Sequence, residues 1–448
     1  MAVQVQYTPD QRLILSGLAC DCPCTHQEPT QDIYVGQNLI AGLPAAIARR
    51  GLGTHCVLVA DETTYAVAGQ QVEETLLSAG FDVIRCVIRR AGEVRPDETA
   101  CGEVLLSIQP ETEFLISVGS GTITDTTRIN ATRTGLPFVA VGTAPSMDGY
   151  TSVVAPLLLR NVKIHRQGKC PDIIVCDLDV LATAPLQMIA SGVGDVLGKY
   201  IARADWQIGQ IINDEAYCPT CGAIVLDAVN KLVHNVEEIR QKTQKGMRIL
   251  IEALLLSGMT ILVIGNTRAV ASIEHNIAQF WEMKLLQQGK EPPQHGSSVG
   301  VATLLVWPLF TRFLKEDLSK LDLEDIKRRR ISRADREKWM LHAYGEEGGA
   351  AIMRENPGDF LDWAEQKRRI ERAQARFAEI QAVIRELPPM EAIADTMRHL
   401  DAHMTPEEEN VDAELLWLSM RCGKDYRTRY TLFKLLDECG LLEGYLAE

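Results

Sequence analysis

Short apolar runs alternate with amphipathic stretches over the first 180 residues. The apolar runs predict strands and the stretches between them predict helices. The predicted strands cover 32–35, 55–60, 82–89, 114–118, 137–141 and 173–181, and the predicted helices cover 41–50, 62–80, 97–107 and 123–131. Alternation of strands and helices with short turns indicates a parallel sheet covered on both faces. Ligands of such sheets bind at the carboxyl ends of the strands.

The pattern changes after residue 184, where long helical segments replace the strand-like runs. Helices are predicted over 185–200, 215–242, 248–264, 269–288 and 299–313. A chain of 448 residues also exceeds the size at which one core usually stops growing. We therefore expect an α/β domain over 1–182, with a parallel sheet and a Rossmann-like cofactor site, and an all-α domain over 183–448.

Two glycine-containing turns follow neighbouring predicted strands. The first, GSGT at 119–122, joins a strand to a helix, so unpaired backbone N–H groups coincide with the positive end of the helix dipole. Such a turn can cradle a phosphate, although an ordinary strand-to-helix turn explains the motif equally well. The second turn, 142–149, carries hydroxyl groups and the carboxylate of Asp148, a suitable lining for a polar ligand.

Asp61 follows the predicted strand over 55–60. At the carboxyl end of a parallel strand, its carboxylate can accept hydrogen bonds from the ribose hydroxyls of an adenine nucleotide. A helix N-cap is an equally good interpretation of this position, because aspartate is favoured there.

Composition narrows the function classes. A net charge of −14 argues against nucleic acid as the main partner. We expect no membrane span, because no apolar stretch approaches the roughly 20 residues that cross a bilayer, and the segment 249–264 is predicted to be a buried helix. The N-terminus lacks the features of a signal peptide and the twelve cysteines are scattered, so we expect a cytoplasmic protein with reduced thiols.

Cysteine is concentrated near the N-terminus, where CDCPCTH carries Cys20, Cys22, Cys24 and His26. Alternating cysteines followed by a histidine could ligate zinc, but two CxxC pairs with zinc-finger spacing are absent, so a structural or incidental role is favoured. The CxxC at 218–221 is expected inside a helix, and a redox role would need a thioredoxin-like context that the sequence lacks.

Three polar positions lie among apolar ones in the predicted helical domain. Asp195 is flanked by glycines and apolar residues, His275 begins an apolar helical segment, and His295 opens a helix after two prolines. One carboxylate and two imidazoles suit zinc, nickel or iron, with a coordination position left for substrate. A buried histidine is more often a satisfied core residue, so the residues alone leave both interpretations open.

Five motifs occur together in the order and spacing of a known family. They are GSGTITD at 119–125, GTAPSMDGYTS at 142–152, SGVGDVLGKY at 191–200, EHNIAQFWEM at 274–283 and HGSSVG at 295–300. The chain resembles the glycerol-1-phosphate dehydrogenases in their bacterial branch, within the superfamily of dehydroquinate synthases and iron-containing alcohol dehydrogenases. The resemblance extends from about Cys20 to the C-terminal segment.

The resemblance implies a metal-dependent, NAD(P)-linked oxidoreductase that interconverts dihydroxyacetone phosphate and sn-glycerol 1-phosphate in a cleft between the two domains. It implies one divalent metal, zinc or nickel with iron as a further option, and a homodimer. Matching positions imply these cofactor contacts: Asp61, Gly119, Ser120, Gly121, Thr122, Asp125, Thr143, Ser146 and Ser152. The metal ligands implied in the same way are Asp195, His275 and His295. Catalytic roles fall on Asp148 and Asp195, and substrate contacts on Asp148, Asp195 and Gln279.

Two features qualify that assignment. A carboxylate at Asp61 favours NAD over NADP, because a 2′-phosphate would meet a like charge. Gln279 stands where the family has a second, substrate-contacting histidine, and glutamine can neither shuttle a proton nor carry charge near neutral pH. The alternative is therefore a related NAD-dependent dehydrogenase for another polyol or polyol phosphate. A sugar-phosphate cyclase would show its own lysine- and arginine-rich motifs, which are not found.

Overall fold

The computed structural model describes residues 4–18, 20–160, 162–356 and 360–447. Its strands all lie before residue 178. They are β1 (Gln4–Tyr7), β2 (Leu13–Ser16), β3 (Asp32–Gly36), β4 (His55–Asp61), β5 (Asp82–Ile88), β6 (Phe114–Gly119), β7 (Phe138–Gly142), β8 (Val154–Leu159), β9 (Val162–Gln167) and β10 (Ile173–Asp177).

A six-stranded parallel sheet, in the order β3-β10-β7-β6-β4-β5, forms the centre of this half. Strands β3, β6, β7 and β10 are buried along their whole length, which explains their nearly continuous apolar sequence. The last residues of β6 and β7, Gly119 and Gly142, are paired in register. The two glycine-containing turns therefore leave the same edge of the sheet side by side.

Helices connect these strands: α1 (Leu43–Arg50), α2 (Glu62–Thr64), α3 (Gln70–Ser78), α4 (Glu98–Ser107), α5 (Gly121–Thr134) and α6 (Leu178–Leu181). The predicted helix over 62–80 is interrupted by a π-helical turn at Tyr65–Gly69 between α2 and α3. The prediction of a strand over 173–181 was wrong for its last four residues. Asp177 ends β10 and caps α6 by accepting a hydrogen bond from the backbone of Asp179.

Two antiparallel hairpins were not predicted: β1–β2 at the N-terminus and β8–β9 after the second glycine-containing turn. Pro156 interrupts the apolar run of β8, which weakened its strand signal. The β8–β9 hairpin contacts the helical half and so contributes to the site described below.

The second half is helical: α7 (Leu186–Leu197), α8 (Lys199–Asn213), α9 (Pro219–Val233), α10 (Val236–Arg240), α11 (Gln244–Ile264), α12 (Ile273–Gln287), α13 (His295–Phe313), α14 (Leu323–Arg329), α15 (Arg333–Glu355), α16 (Trp363–Ala375), α17 (Phe377–Arg385), α18 (Met390–His399), α19 (Ala413–Cys422), α20 (Leu432–Glu438) and α21 (Leu442–Leu446). The predicted single helix over 215–242 is two helices, and Cys218 caps α9 instead of lying inside a helix.

Among the helices of the described residues, α11 is long and apolar enough to cross a membrane by length and composition, and 89% of its most apolar window is buried inside the protein. One hydrophobic cluster joins β3 and β10 of the sheet to α7, α11 and α13. The two halves therefore share a core, to which Ala144 and Tyr150 of the segment after β7 also belong.

Candidate active site

Asp195 is fully buried on α7, and each of its carboxylate oxygens has a hydrogen-bond donor. Lys199 donates from Nζ to Asp195 Oδ1 at 2.6 Å, and the backbone N–H of Asp148 donates to Oδ2 at 2.9 Å. The same ammonium lies 2.8 Å from Asp148 Oδ2. A helical turn separates Asp195 from Lys199, because Gly198 between α7 and α8 keeps helical angles.

These contacts keep the carboxylate of Asp195 ionised. Burial alone would raise the pKa of Asp195, but the Lys199 ammonium and the neighbouring imidazoles hold it well below its usual range. Burial alone would lower the pKa of Lys199, yet Asp148 and Asp195 raise it above its ordinary value. Lys199 is thus a charged, buried group between the second glycine-containing turn and α7.

Close backbone packing brings α13 and the second turn against α7. A Cβ at Gly192 would lie 1.9 Å from the Pro145 carbonyl oxygen, and one at Gly296 would lie 2.0 Å from the Ser191 carbonyl oxygen. Any side chain at either position would push these backbones apart. Gly192 therefore allows the second turn to approach α7, and Gly296 allows the start of α13, which carries His295, to approach α7.

His275 lies in the first turn of α12, and its ring is oriented by its neighbour. Glu274 Oε1 accepts hydrogen bonds from the Ser272 backbone N–H at 2.8 Å and from His275 Nδ1 at 2.6 Å. With Nδ1 carrying the proton, the lone pair of Nε2 is free, and Nε2 lies 3.4 Å from Asp195 Oδ1. A tetrahedral ion about 2.0–2.1 Å from an oxygen and a nitrogen would place them about 3.3 Å apart.

His295 completes a converging donor set. One ligand atom each of Asp195, His275 and His295 lies within 4.8 Å of the others. The Nδ1 atom of His295 is buried without a hydrogen-bond partner and lies 3.8 Å from Glu282 Oε2. An oriented imidazole, an orphaned ring nitrogen and a buried carboxylate fit a divalent metal.

Gln279 lies on α12 one turn after His275 and is half-buried. Within the described part of the chain, the structure gives its side chain no hydrogen bond. Its amide is therefore free to bind a ligand beside the donor set.

The first glycine-containing turn has the geometry of an anion cradle. Ser120 is the N-cap of α5 and its side chain makes no capping hydrogen bond, so the first N–H groups of the helix are not capped from within the chain. A Cβ at Gly121 would meet the Met147 side chain at 3.2 Å, so the second turn closes over the first. Thr143 donates from its backbone N–H to the Gly119 carbonyl at 3.2 Å, which joins the two turns.

The other predicted cofactor residues surround these turns, and several have local partners. Asp61 accepts a hydrogen bond from the Thr64 backbone at 2.7 Å, so it is an N-cap in the structure. Ser146 is buried, and its carbonyl accepts a bond from Ser191 Oγ at 3.1 Å. Ser152 Oγ bonds the backbone of Val154 at the start of β8.

Asp125 forms an ion pair with the buried Arg128 one turn later on α5. Burial raises the pKa of Asp125 to about 6 in spite of this cation. Arg128 also donates to the carbonyl of Gly149 at 2.6 Å, which ties α5 to the second turn. Through its ion pair with Arg128, Asp125 therefore helps to hold the second turn in place.

Basic residues of the β8–β9 hairpin were not predicted as site residues. Lys163 pairs with Glu282 of α12, which lies beside His295. Burial, Lys163 and Arg427 lower the pKa of His165 to about 3, so its imidazole is neutral near neutral pH. Lys199 was missed too, although its position four residues after Asp195 was a readable signal.

Known proteins resemble this chain in sequence and in fold. The sequence profile of iron-containing alcohol dehydrogenases matches residues 34–185. The glycerol-1-phosphate dehydrogenase [NAD(P)+] of Halalkalibacterium halodurans is 38% identical over 298 residues, which cover 65% of this chain and 74% of that protein. The enzyme of the same name from Geobacillus thermodenitrificans is 31% identical, with 87% of this chain and 88% of that protein covered.

The chain belongs to the glycerol-1-phosphate dehydrogenase family. Solved structures similar to this family member include a glycerol dehydrogenase from Schizosaccharomyces pombe, with a TM-score of 0.60 and 16% identity over 96% of this chain and 92% of that one. Maleylacetate reductase from Rhizobium sp. strain MTP-10005 has a TM-score of 0.61 and 14% identity over 94% and 97%. At these identities they establish the fold, an α/β half with a parallel sheet followed by a helical half.

Proposed function

We propose that this protein catalyses the NAD(P)-linked interconversion of dihydroxyacetone phosphate and sn-glycerol 1-phosphate. The observation that carries the proposal is the donor set of Asp195, His275 and His295 within 4.8 Å, in a chain with an uncapped glycine turn at the start of α5. Relatives that bear the name glycerol-1-phosphate dehydrogenase [NAD(P)+] support the substrate and favour it over another polyol.

The glycine turn of Gly119, Ser120, Gly121 and Thr122 is assigned to the pyrophosphate of the dinucleotide. Free N–H groups and the positive end of the α5 dipole complement its charge. Thr143 and Ser146, in the turn beside it, would line the cofactor. The chemistry that the dinucleotide supplies is hydride transfer to or from the substrate carbon.

Asp195, His275 and His295 would hold the metal ion, which supplies Lewis-acid polarisation of the substrate oxygen. Mixed oxygen and imidazole ligation suits zinc or nickel, and iron is the third option. Glu274 fixes the ring of His275 so that Nε2 is directed at Asp195. The ligands are therefore preorganised by this chain before any ion is bound.

Asp148 and Lys199 orient the substrate. The Lys199 ammonium holds Asp148 Oδ2 at 2.8 Å, next to the ligand set. A carboxylate oxygen can accept a hydrogen bond from a substrate hydroxyl. The substrate phosphate is assigned to the β8–β9 hairpin around His165, where the basic groups of Lys163 and Arg427 lie beside a neutral imidazole.

We also propose that the enzyme works in the cytoplasm as a homodimer. The free cysteines of the described residues support a reducing compartment. Light scattering on the purified protein measures the assembly.

NADH oxidation by protein loaded with zinc, nickel or iron tests the function, alongside Gln279→His. We expect turnover with dihydroxyacetone phosphate and much weaker turnover with dihydroxyacetone, which lacks the phosphate. In Gln279→His an ionisable imidazole replaces a neutral amide, so we expect the pH profile to gain a transition near pH 6–7. Absence of turnover in both proteins with every metal would overturn the proposal. Oxidation of another polyol without dihydroxyacetone phosphate turnover would establish the alternative substrate.

A further inference from the structure

A second cluster of potential metal ligands lies away from the active site. His26 Nε2 is 3.3 Å from Cys22 Sγ and 3.3 Å from Cys218 Sγ, although His26 and Cys218 are 192 residues apart in sequence. The sulfur atoms of Cys20, Cys22 and Cys218 lie within 4.8 Å of one another. The fold thus brings the N-terminal CDCPCTH motif to the start of α9, which the sequence alone did not indicate.

The distances suit a tetrahedral ion with sulfur and nitrogen ligands. For bond lengths of about 2.3 Å to sulfur and about 2.0 Å to nitrogen, two sulfurs lie about 3.8 Å apart and a sulfur and a nitrogen about 3.5 Å apart. The two sulfur–nitrogen distances of 3.3 Å are close to the expected value, and the three sulfurs lie within 4.8 Å of one another. Three thiolates and one imidazole form a closed Cys₃His set, which is typical of structural zinc.

Burial raises the pKa of the Cys218 thiol to about 11, and the hydrogen bonds with Cys221 act against that shift. Cys218 is the N-cap of α9, and its sulfur accepts a hydrogen bond from the Cys221 backbone N–H at 3.3 Å. A helix N-terminus and an N–H donor both stabilise negative charge on sulfur. One imidazole nitrogen directed at two sulfurs is explained by a shared cation. A disulfide between those sulfurs would give the ring nitrogen no such role.

We propose that Cys20, Cys22, Cys218 and His26 form a structural zinc site, separate from the donor set of the active site. This assignment stands on its own geometry and does not depend on the proposed catalytic activity.

The cluster is placed to support the active site indirectly. Cys20 and Cys22 pack against the apolar cluster of Val263, Ile264 and the turn 269–271, and the Gln27 backbone donates to Val263 at 2.8 Å. That turn leads directly into α12, whose first residues carry His275. A zinc ion here would staple the N-terminal segment to the turn that positions an active-site ligand.

Metal content measured by mass spectrometry on protein expressed with zinc and purified under reducing conditions tests the proposal. We expect two zinc ions per chain in the wild type, one in His275→Ala and one in Cys218→Ser. Cys24→Ser is the matched variant, since Cys24 lies in the same motif and contacts Cys22 but is not one of the three sulfurs within 4.8 Å of one another, and it should keep both ions. Loss of a zinc ion in Cys24→Ser would overturn this ligand set.

Cobalt substitution identifies the site without relying on a variant that must survive loss of a ligand. Cobalt-loaded His275→Ala should show an intense thiolate-to-cobalt charge-transfer band, because its remaining site has three sulfur ligands. Absence of that band would overturn the proposal, even in an active enzyme. A disulfide among Cys20, Cys22 and Cys218, found by alkylation and peptide mass spectrometry of the freshly purified protein, would overturn it as well.

Discussion

Lys199 is a buried ammonium that neutralises two carboxylates on two different parts of the chain. It contacts Asp195 on its own helical segment and Asp148 on the turn after β7. Without this cation, two like charges would be buried side by side, which is strongly unfavourable. Lys199 should stabilise the folded protein most when the donor set holds no metal, because a bound metal ion would also neutralise the charge of Asp195.

Lys199→Met should destabilise the metal-free protein by about 3–5 kcal/mol, the usual consequence of removing one partner of a buried pair. Saturating zinc should restore part of that loss, because the ion compensates Asp195. Thermal unfolding with and without zinc measures both effects, and zinc should raise the melting temperature more in the variant than in the wild type.

Lys245→Met is the control for Lys199→Met, since its exposed ammonium lies 3.5 Å from Glu238 on the surface. It should change stability by no more than about 1 kcal/mol. Equal effects of the two substitutions would contradict the neutralising role assigned to Lys199.

At the scale of elements, Asp205 of α8 joins three segments. Its carboxylate accepts hydrogen bonds from Ser272 Oγ at 2.6 Å and from the Leu432 backbone at 2.7 Å. Ser272 immediately precedes α12 and Leu432 begins α20. Burial raises the pKa of Asp205 to about 7, although these donors and Arg268 oppose the shift.

The raised pKa of Asp205 predicts how the free energy of unfolding changes with pH. The folded state holds the Asp205 proton up to about pH 7, whereas the unfolded chain releases it near pH 4. The contribution of protonated Asp205 to the free energy of unfolding is therefore fully present below pH 4, and it is lost as the pH rises through about 7. Relative to the wild type, Asp205→Asn should become more stable by on the order of 3–4 kcal/mol between pH 4 and pH 8, measured by urea unfolding.

Asp214→Asn is a control for which the opposite pH dependence of stability is expected. Hydrogen bonds from Arg372 lower the pKa of this exposed carboxylate, so its contribution is lost as the pH falls. The same direction of change in both variants would contradict the assignment at Asp205.

The contact between α7 and α13 affects the separation of Asp195 and His295, two of the proposed metal ligands, and Gly296→Ala tests this. The added Cβ would lie 2.0 Å from the Ser191 carbonyl oxygen, so α13 must move away from α7. Metal sites require their ligands within roughly 0.5 Å of the binding geometry. We expect zinc affinity to fall at least about tenfold, as measured by chelator competition.

Gly102→Ala is the matched control on α4, where a Cβ would meet nothing within 4 Å. It should leave zinc affinity unchanged and stabilise the helix by about 0.5–1 kcal/mol. Unchanged affinity in Gly296→Ala would show that this close approach does not set the ligand geometry.

At the scale of the whole molecule, the β8–β9 hairpin connects the α/β half to the helix that carries His275. Lys163 of the hairpin pairs with Glu282 of α12, and both side chains are largely buried. Burial alone would raise the pKa of Glu282, but Lys163 and His295 lower it to about 2, so the pair persists throughout the neutral range.

A double-mutant cycle with Lys163→Met and Glu282→Gln measures this link. We expect a coupling energy of about 1–2 kcal/mol in unfolding, because the pair is shielded from solvent. The exposed pair of Asp335 and Lys338 should show less than about 0.5 kcal/mol. Coupling no larger than in the surface pair would contradict the proposed connection between the halves.

Local patterns in the sequence were sufficient to predict three features. These are the strand–helix alternation, the two glycine-containing turns and the family motifs. Asp195, His275 and His295 were found through motif spacing, and the structure brings them together. The position of Asp61 in the sequence was compatible both with ribose binding and with a helix N-cap. In the structure Asp61 is the N-cap of α2. The π-helical turn before α3 was not predicted, because a single turn leaves little periodic signal.

The sequence by itself determined the alternation of strands and helices in the parallel sheet, the glycine turn at the end of β6 and the residues that are proposed as metal ligands. Periodicity and turn chemistry depend on neighbouring residues, so these features need no tertiary information. The tertiary structure decided what lies across long sequence separations: Lys199 against Asp148, Lys163 against Glu282, and His26 against Cys218. Such contacts depend on how elements pack, and no local pattern encodes that packing.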